Sequence, residues 1–517
     1  MRAEALSTRE AEGEIRVFAQ YERDFVEEAD VVVVGSGPSG SVVTYELAKA
    51  GHRVLLVEEG PPFTPKDFRI DGNVSMARTL REGGLRSTTG TFMPVMQAIC
   101  LGGASLINSA MCVRPPKFVF DDWSTRFDLE RTTRGDLDPH YDAVGEFLGI
   151  APTPDAVQGR RNMLFREGCD ALGYSSEPVP RNVQGCRGSG ECFTGCRPRA
   201  KQSMDISYIP EAMKLGARVL TSLQVQRVLG TRRRVWGVEG QVVEPFTGRA
   251  SHAFRINARL VVLAAGCMAT PVLLQRSGDL ANESRQVGQN LQFHPGCAVA
   301  GVFPDEVDPL FGATQSYHSL DFLREGFKLE TMWSSPAALA VRTPGMGADL
   351  LRHLGELPRT VIWDAIGSTH RSVGSVRARS EGLDPVIRWS LNEDDAKLML
   401  RAVHVLTEIF FAAGAEKVMP GVHGLPEEIT STLGAQAIGD HPIRPRDLVM
   451  ASSHVFCTTR MHGDAAKGVV DEIGRCHGFD NLFIADTGIF PRCPSVNPMY
   501  TVMALAHRQA QAIREQI

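Results

Sequence analysis

The stretch "DVVVVGSGPSGSVVTYELAKAGHRVLLVEEG", residues 30 to 60, decides how the chain folds. Its four valines, Val31 to Val34, form a short apolar run that reads as a buried strand. Gly35, Gly37 and Gly40 follow in GxGxxG spacing, and "SVVTYELAKAG" carries helical periodicity to a stop at Gly51. A second apolar run, "RVLLVE", ends in the acid Glu58. Gly35 permits the tight turn, Gly37 lets backbone approach a pyrophosphate, and Gly40 allows close packing of helix on strand. Free N–H groups at the helix amino terminus then face the phosphates. Glu58 stands where a carboxylate accepts hydrogen bonds from the ribose hydroxyls, and its charge repels a 2′-phosphate, which argues against NADP. A glycine-rich turn in some other α/β unit would not bring strand, helix, second strand and terminal acid in this order. The stretch predicts a dinucleotide site and leaves FAD and NAD both open.

Over the whole chain the composition is that of an ordinary soluble globular protein, with 43% hydrophobic and 22% charged residues. The 517 residues allow two domains or one elaborate unit. A formal charge of -5 lacks the basic bias of a nucleic-acid binder. The opening "MRAEALSTREAEGEIRVFAQYERDFVEEAD" mixes acids and bases with no apolar signal core. No apolar run reaches the roughly 18 to 20 residues that cross a bilayer. The longest, "LVVLAAGCMATPVLL", is shorter and carries glycine, threonine and proline. A cytoplasmic protein is expected, with a peripheral membrane contact left open. Its 11 cysteines, without an export signal, read as mostly reduced thiols.

Four later segments narrow the cofactor. "AICLGGASLINSAMCVRPP" (98 to 116) has the glycine pair Gly102 and Gly103, then Asn108 and Arg114. "LVVLAAGCMATPVLLQRSGDL" (260 to 280) begins as a strand, turns through Ala265 and Gly266, and enters a helix through Thr270 and Pro271. "VGQNLQFHPG" follows at 287 to 296, and "NLFIADTGIFPRCPSVNPMYTVMALAHR" closes the series at 481 to 508. In this order the motifs resemble the glucose-methanol-choline (GMC) family of flavin oxidoreductases. The resemblance implies an α/β fold, a Rossmann-like FAD-binding domain with a sheet-based substrate-binding domain, and oxidation of an alcohol. Within the family, "ECFTGCRPRAKQSMDISYIPEAMKLGARVL" (191 to 220) and "VRARSEGLDPVIRWSLNEDDAKLMLRAVHVLTEIFFAAGAEKV" (376 to 418) are similar to long-chain (fatty) alcohol oxidases and dehydrogenases.

The resemblance also assigns roles. In "ASSHVFCTTRMHGDAAKGVVD" (451 to 471), the histidine that the family brings to the reacting flavin face falls at His454. Asn497, in "SVNPMYT", falls where the family carries its second active-site residue. Such a pair suits the chemistry. A neutral imidazole accepts the hydroxyl proton near neutral pH, and an amide holds the oxygen while charge develops on it. The flavin-binding set implied comprises Gly35, Gly37, Gly40, Glu58, Gly102, Gly103, Asn108, Val225, Ala265, Gly266, Asp486, Asn497, Pro498 and Met499. Family members with covalent flavin can carry a histidine just before the asparagine of the glycine-pair motif. Ile107 stands there, so FAD is expected to be non-covalent. His462 is expected to make local hydrogen bonds, and His507 to be a cap or surface group. Zinc between His454, Cys457 and His462 matches no common ligand spacing, and no metal is expected.

"GCRGSGECFTGC" groups Cys186, Cys192 and Cys196 in a glycine-rich loop. A compact loop of reduced thiols is the expectation, with an iron–sulfur or zinc site as the alternative. The domain reading places 28–115, 200–305 and 452–517 in a discontinuous FAD-binding domain and 116–199 and 306–451 in the substrate domain. In the latter, "DPVIRWSL" reads as a strand and "EDDAKLMLRAVHVLTEIFFAAGA" as an amphipathic helix with acids capping its start and glycine its end. The expected reaction is FAD-dependent oxidation of an alcohol, long-chain or bulky, to the aldehyde or ketone with O2 as acceptor. The alternatives are an FAD dehydrogenase passing electrons to a quinone or partner protein, and a non-redox flavin lyase. The oligomeric state is left open.

Overall fold

The computed structural model describes residues 15–68, 72–308, 311–332, 340 and 343–516. Residues 1–14 of the opening segment, searched above for an export signal, lie outside them. The Val31–Val34 run ends a strand spanning Phe25–Val34, and Val31, Val32 and Val33 are wholly buried. Each buried side chain of this size contributes about 1.5 to 3 kcal/mol over an exposed one. The strand pairs in parallel with Val54–Val57 on one side and Ala250–Leu263 on the other. Strands Arg218–Leu220 and Ile15–Arg16 extend the parallel half beyond Val54–Val57.

The Ala250–Leu263 strand is long enough to serve two partners on its far side. Its first half pairs antiparallel with Val235–Val243, and its last three residues pair in parallel with Leu482–Ile484. Leu223–Gly230 completes an eight-stranded mixed sheet. The helix Pro38–Lys49 packs on the carboxy-terminal helix Met499–Arg514, which in turn packs on Arg134–Leu148.

A second, six-stranded sheet runs Lys417–Met419, Gly296–Val302, Thr360–Gly367, Phe327–Met332, Tyr317–Ser319, Glu177–Pro178. Its neighbours pair antiparallel throughout. Gly296–Val302, which the sequence reading groups with the nucleotide part, is therefore a strand of this sheet. The crossing falls at Pro295, directly after the "NLQFH" motif. One face of the sheet is covered by the helix Glu393–Ala412, with Trp363 stacked on Phe410 at 3.8 Å between ring centroids. That helix is amphipathic as read, but its cap is Asn392, whose side chain accepts from the Asp394 N–H. Glu393, Asp394 and Asp395 fill the first turn instead, where they favour the helix dipole. The two sheets have separate hydrophobic cores.

Candidate active site

The carboxyl ends of the parallel strands converge, as open α/β sheets require of their ligand crevice. The Gly35 N–H bonds the Val57 carbonyl, Ala264 bonds Val34, and Ala485 bonds Leu263, each at 2.8 Å. A cavity of about 1440 Å³ opens there, lined by Val34, Gly35, Gly37, Glu58, Gly103 and Asp486 among others. Gly35 has φ +106, and a Cβ on it would lie 2.2 Å from the Ala264 carbonyl oxygen. A Cβ on Gly40 would lie 2.0 Å from the Gly35 oxygen, so helix and turn touch backbone to backbone. Gly37 differs: a Cβ there would meet nothing within 4 Å, because the position faces the cavity. The helix behind it starts at Pro38 with no side-chain cap. Its free N–H groups are left for a ligand.

Glu58 is buried against the turn. Its Oε2 accepts from the Ser36 N–H at 3.0 Å and the Ser36 hydroxyl at 2.6 Å, and its Oε1 from the Gly60 N–H at 2.8 Å. Burial raises its pKa, and these hydrogen bonds oppose the rise. A carboxylate has about four lone-pair sites, so Glu58 keeps capacity for a ligand hydroxyl. The Gly102 N–H donates to the same Ser36 hydroxyl, which ties the glycine pair to the turn. Asp486 accepts from the Thr270 hydroxyl and from the Gly266 and Gly488 N–H groups. Burial takes it up to about 6 against those bonds. Asn108, Val225, Ala265, Gly266, Pro498 and Met499 line the cavity, whereas Gly40 and Gly102 stand behind its wall.

His454 and Asn497 also line the cavity. His454 stands at the end of a two-stranded ribbon in which Phe293 pairs with Val455 and Gln292 with Phe456. This register sets His294 opposite His454. Their Nδ1 atoms are 3.2 Å apart and the rings meet edge to face at 5.3 Å. Of two neutral imidazoles so placed, one Nδ1 donates and the other accepts. Burial lowers His454 to about 4; Glu330 opposes this and Lys328 adds to it. His294, buried with its Nε2 unpartnered among the described residues, is pushed well below the ordinary imidazole range by burial and by His454.

Asn497 lies two residues before the carboxy-terminal helix, next to its cap Pro498, and its Oδ1 accepts from the Lys328 ammonium at 2.7 Å. Lys328 also donates to Glu330 Oε2 at 2.7 Å, and both side chains are buried. Residues two apart share a strand face, so Lys328, Glu330 and Met332 all turn toward the cavity side of the second sheet. The sequence reading gave no role to His294, Lys328 or Glu330. His294 lay in a quoted motif, but nothing local to either segment announces a partner across a ribbon or between sheets.

Other expectations meet their surroundings. His462 is buried away from the cavity, its Nδ1 accepting from the Asp464 N–H at 3.0 Å and its carbonyl facing His477 Nε2. His507 is not a surface group. It lies buried within Met499–Arg514, its Nδ1 2.8 Å from His140 Nδ1, because this helix is covered on several sides and has no free polar stripe. Cys186, Cys192 and Cys196 are free thiols. Burial raises the Cys192 pKa, but Arg181, which donates to its Sγ, and Lys201 outweigh it and the pKa is lowered. Among the described residues, the one set of metal-type ligand atoms within 4.8 Å of one another is His353, Glu356 and Glu428. Glu428 there is already paired with Lys417 and Arg352.

A Rossmann-like parallel sheet joined to a second sheet, with a histidine and an asparagine on the shared cavity, is an architecture of oxidoreductases that bind a flavin. The GMC oxidoreductase family sequence models match residues 31–296 and 370–506. A GMC-type oxidoreductase of Mycobacterium tuberculosis is 32% identical over 516 residues, covering 98% of this chain and 79% of that one. The chain belongs to the GMC oxidoreductase family. A long-chain-alcohol oxidase of Arabidopsis thaliana is 27% identical over 92% of this chain and 67% of its own length. Among solved structures, pyridoxine 4-oxidase from Mesorbium loti superposes with a TM-score of 0.71 at 20% identity, covering 94% of this chain and 99% of that one. Formate oxidase of Aspergillus oryzae RIB40 does so at 0.72 and 18%, covering 95% and 98%. Both likenesses are of fold.

Proposed function

We propose that the chain holds FAD non-covalently and oxidises a long-chain alcohol to the aldehyde, with O2 taking the electrons. The residues present fit the cofactor. The uncapped helix start and the open Gly37 position suit a pyrophosphate, and the buried Glu58 carboxylate suits a ribose. Ile107, also on the cavity, offers no nucleophile for a covalent link. Bound there, FAD would supply the hydride acceptor that side chains lack. His454 takes the hydroxyl proton, presented with Nδ1 against His294 and its other ring nitrogen free for substrate. Asn497 donates to the oxygen as charge develops.

The pattern of the second sheet's cavity face carries the substrate class. Register places Gly296, Ile366 and Lys328 in one cross-strand row, and Ala298, Asp364 and Glu330 in the next. The row after that is Met419, Ala300, Ile362 and Met332. Polar groups thus stand near Asn497 and an apolar row lies beyond them, with small residues on the Gly296–Val302 strand leaving space. A hydroxyl head with a hydrocarbon tail matches this order, and the Arabidopsis relatives are named for such alcohols. The test is a panel of primary alcohols of increasing chain length mixed anaerobically with the purified yellow protein. Flavin bleaching that strengthens with chain length, then reoxidation by air with hydrogen peroxide released, is expected. Bleaching by no alcohol overturns the reading, and a reduced flavin stable in air overturns the acceptor. Acid precipitation is expected to release the flavin; a flavin retained by the precipitate contradicts non-covalent binding.

A further inference from the structure

An asparagine can serve the developing oxyanion only with its NH2, not its carbonyl, turned to the substrate. At Asn497 this choice is made from behind. An ammonium group has three donors and no acceptor, so the amide atom 2.7 Å from Lys328 Nζ is the oxygen. The NH2 then takes the other side, where Asn497 lines the cavity and its nitrogen bonds no described residue.

Lys328 is itself held in place. It has no exposed side-chain surface, and its second bond goes to Glu330 Oε2. Glu330 Oε1 accepts from Gln315 Nε2 at 2.5 Å, and the Gln315 carbonyl accepts from the Ser109 hydroxyl. The chain of bonds therefore runs from the segment after the glycine pair, through the second sheet, to Asn497 beside the start of the carboxy-terminal helix. Burying an ion pair is costly, and a well-packed apolar pair commonly serves stability as well or better. Its place behind the amide points to a different use.

We propose that Lys328 is a positioning residue that acts through Asn497, fixing the amide so that its NH2 faces the substrate oxygen, with Glu330 holding Lys328 in register. The inference rests on the alcohol-oxidation reading for its kinetic consequence, and on geometry alone for the amide orientation. The positive charge behind the amide also polarises it as alkoxide character develops in front.

Two variants test it. Lys328→Met removes the ammonium but strands Glu330 in the interior. Lys328→Met with Glu330→Gln removes both charges of the buried pair, and it is the variant expected to keep fold and flavin. In this double variant the limiting rate of flavin reduction by alcohol should fall by about 10²-fold, the usual loss for one oxyanion donor. The alcohol concentration at half-saturation should change little. Adding Asn497→Ala should cost almost nothing more, since coupled residues do not add. Crystal structures supply the readout independent of turnover: the Asn497 side chain should leave its wild-type position in the double variant. An unmoved Asn497, a wild-type rate in the folded double variant, or fully additive losses with Asn497→Ala would each overturn the proposal. If no alcohol reduces the wild-type flavin, the functional reading falls, while the crystal structures still decide the amide orientation.

Discussion

Burial takes the His454 pKa from 6.5 to about 4, and the sign of this shift has a kinetic consequence. A base must be unprotonated to accept, and a depressed pKa keeps it so at lower pH. The limiting rate of flavin reduction should therefore stay level from pH 8 down to about 5. A loss centred near 6.5 would contradict the environment drawn around His454. For His454 to act as the base, its Nδ1–H must donate to His294 Nδ1, which leaves its other nitrogen to accept. His294→Ala removes that partner and should slow reduction by about 10²-fold without releasing flavin, as misplacement of a catalytic group does. An unchanged rate would show that the ring is held by other contacts. That His454 and Asn497 share one cavity was legible in sequence because each sits in a motif with its own order of neighbours. His294 and Lys328 were not, because their contacts reach 160 and 169 residues along the chain. Such contacts exist only once strand register is set.

The turn from Val34 into the Pro38–Lys49 helix is the element on which the nucleotide end depends. Its signal was readable because three constraints coincide: a buried strand, glycines where backbone meets backbone, and a helix whose start must stay uncapped. Gly40→Ala would put a Cβ 2.0 Å from the Gly35 oxygen, so helix and strand must part. Overpacking of this kind costs about 1 to 3 kcal/mol. The variant should melt several degrees lower and lose flavin on gel filtration; wild-type melting with full flavin would show that the close contact relaxes freely. The Glu393–Ala412 helix was equally legible in its period but not in its cap. Acids and Asn392 stand side by side in "LNEDDAK", and only the backbone shows that Asn392 has the extended conformation from which a side chain caps. The crossing at Pro295 was hidden for a related reason. The "NLQFHP" motif belongs to the ribbon beside the active site, and the strand that follows it joins another sheet.

At the scale of the molecule, two sheets with separate cores share one cavity, and several histidines are buried where they bridge elements. Burial holds His140, His318, His370 and His454 down to about 4, and it holds His294 well below the ordinary imidazole range. A histidine depressed in the folded state binds its proton more readily when unfolded. Its contribution to stability is full above about 6.5 and is lost as pH falls toward the folded value. The melting temperature should thus drop between pH 6.5 and pH 4, faster than exposed carboxylates alone produce; a flat profile would show that these rings reach solvent. The parallel half of the molecule was readable from one stretch of sequence, and of the second sheet only the helix that covers it; the strand read from "DPVIRWSL", Pro385–Trp389, belongs to a separate three-stranded sheet. The strands of the second sheet are short, and their pairing is set by partners distant in the chain.

The central claim is that this cavity oxidises an alcohol with His454 as the base. Anaerobic stopped-flow mixing of a long-chain alcohol with flavin-loaded wild type, His454→Ala and His462→Ala tests it most directly. The account predicts rapid bleaching in wild type and reduction slower by roughly 10²- to 10⁴-fold in His454→Ala with flavin still bound. His462→Ala should stay close to wild type. Wild-type rates in His454→Ala, or the large loss appearing at His462 instead, would contradict it.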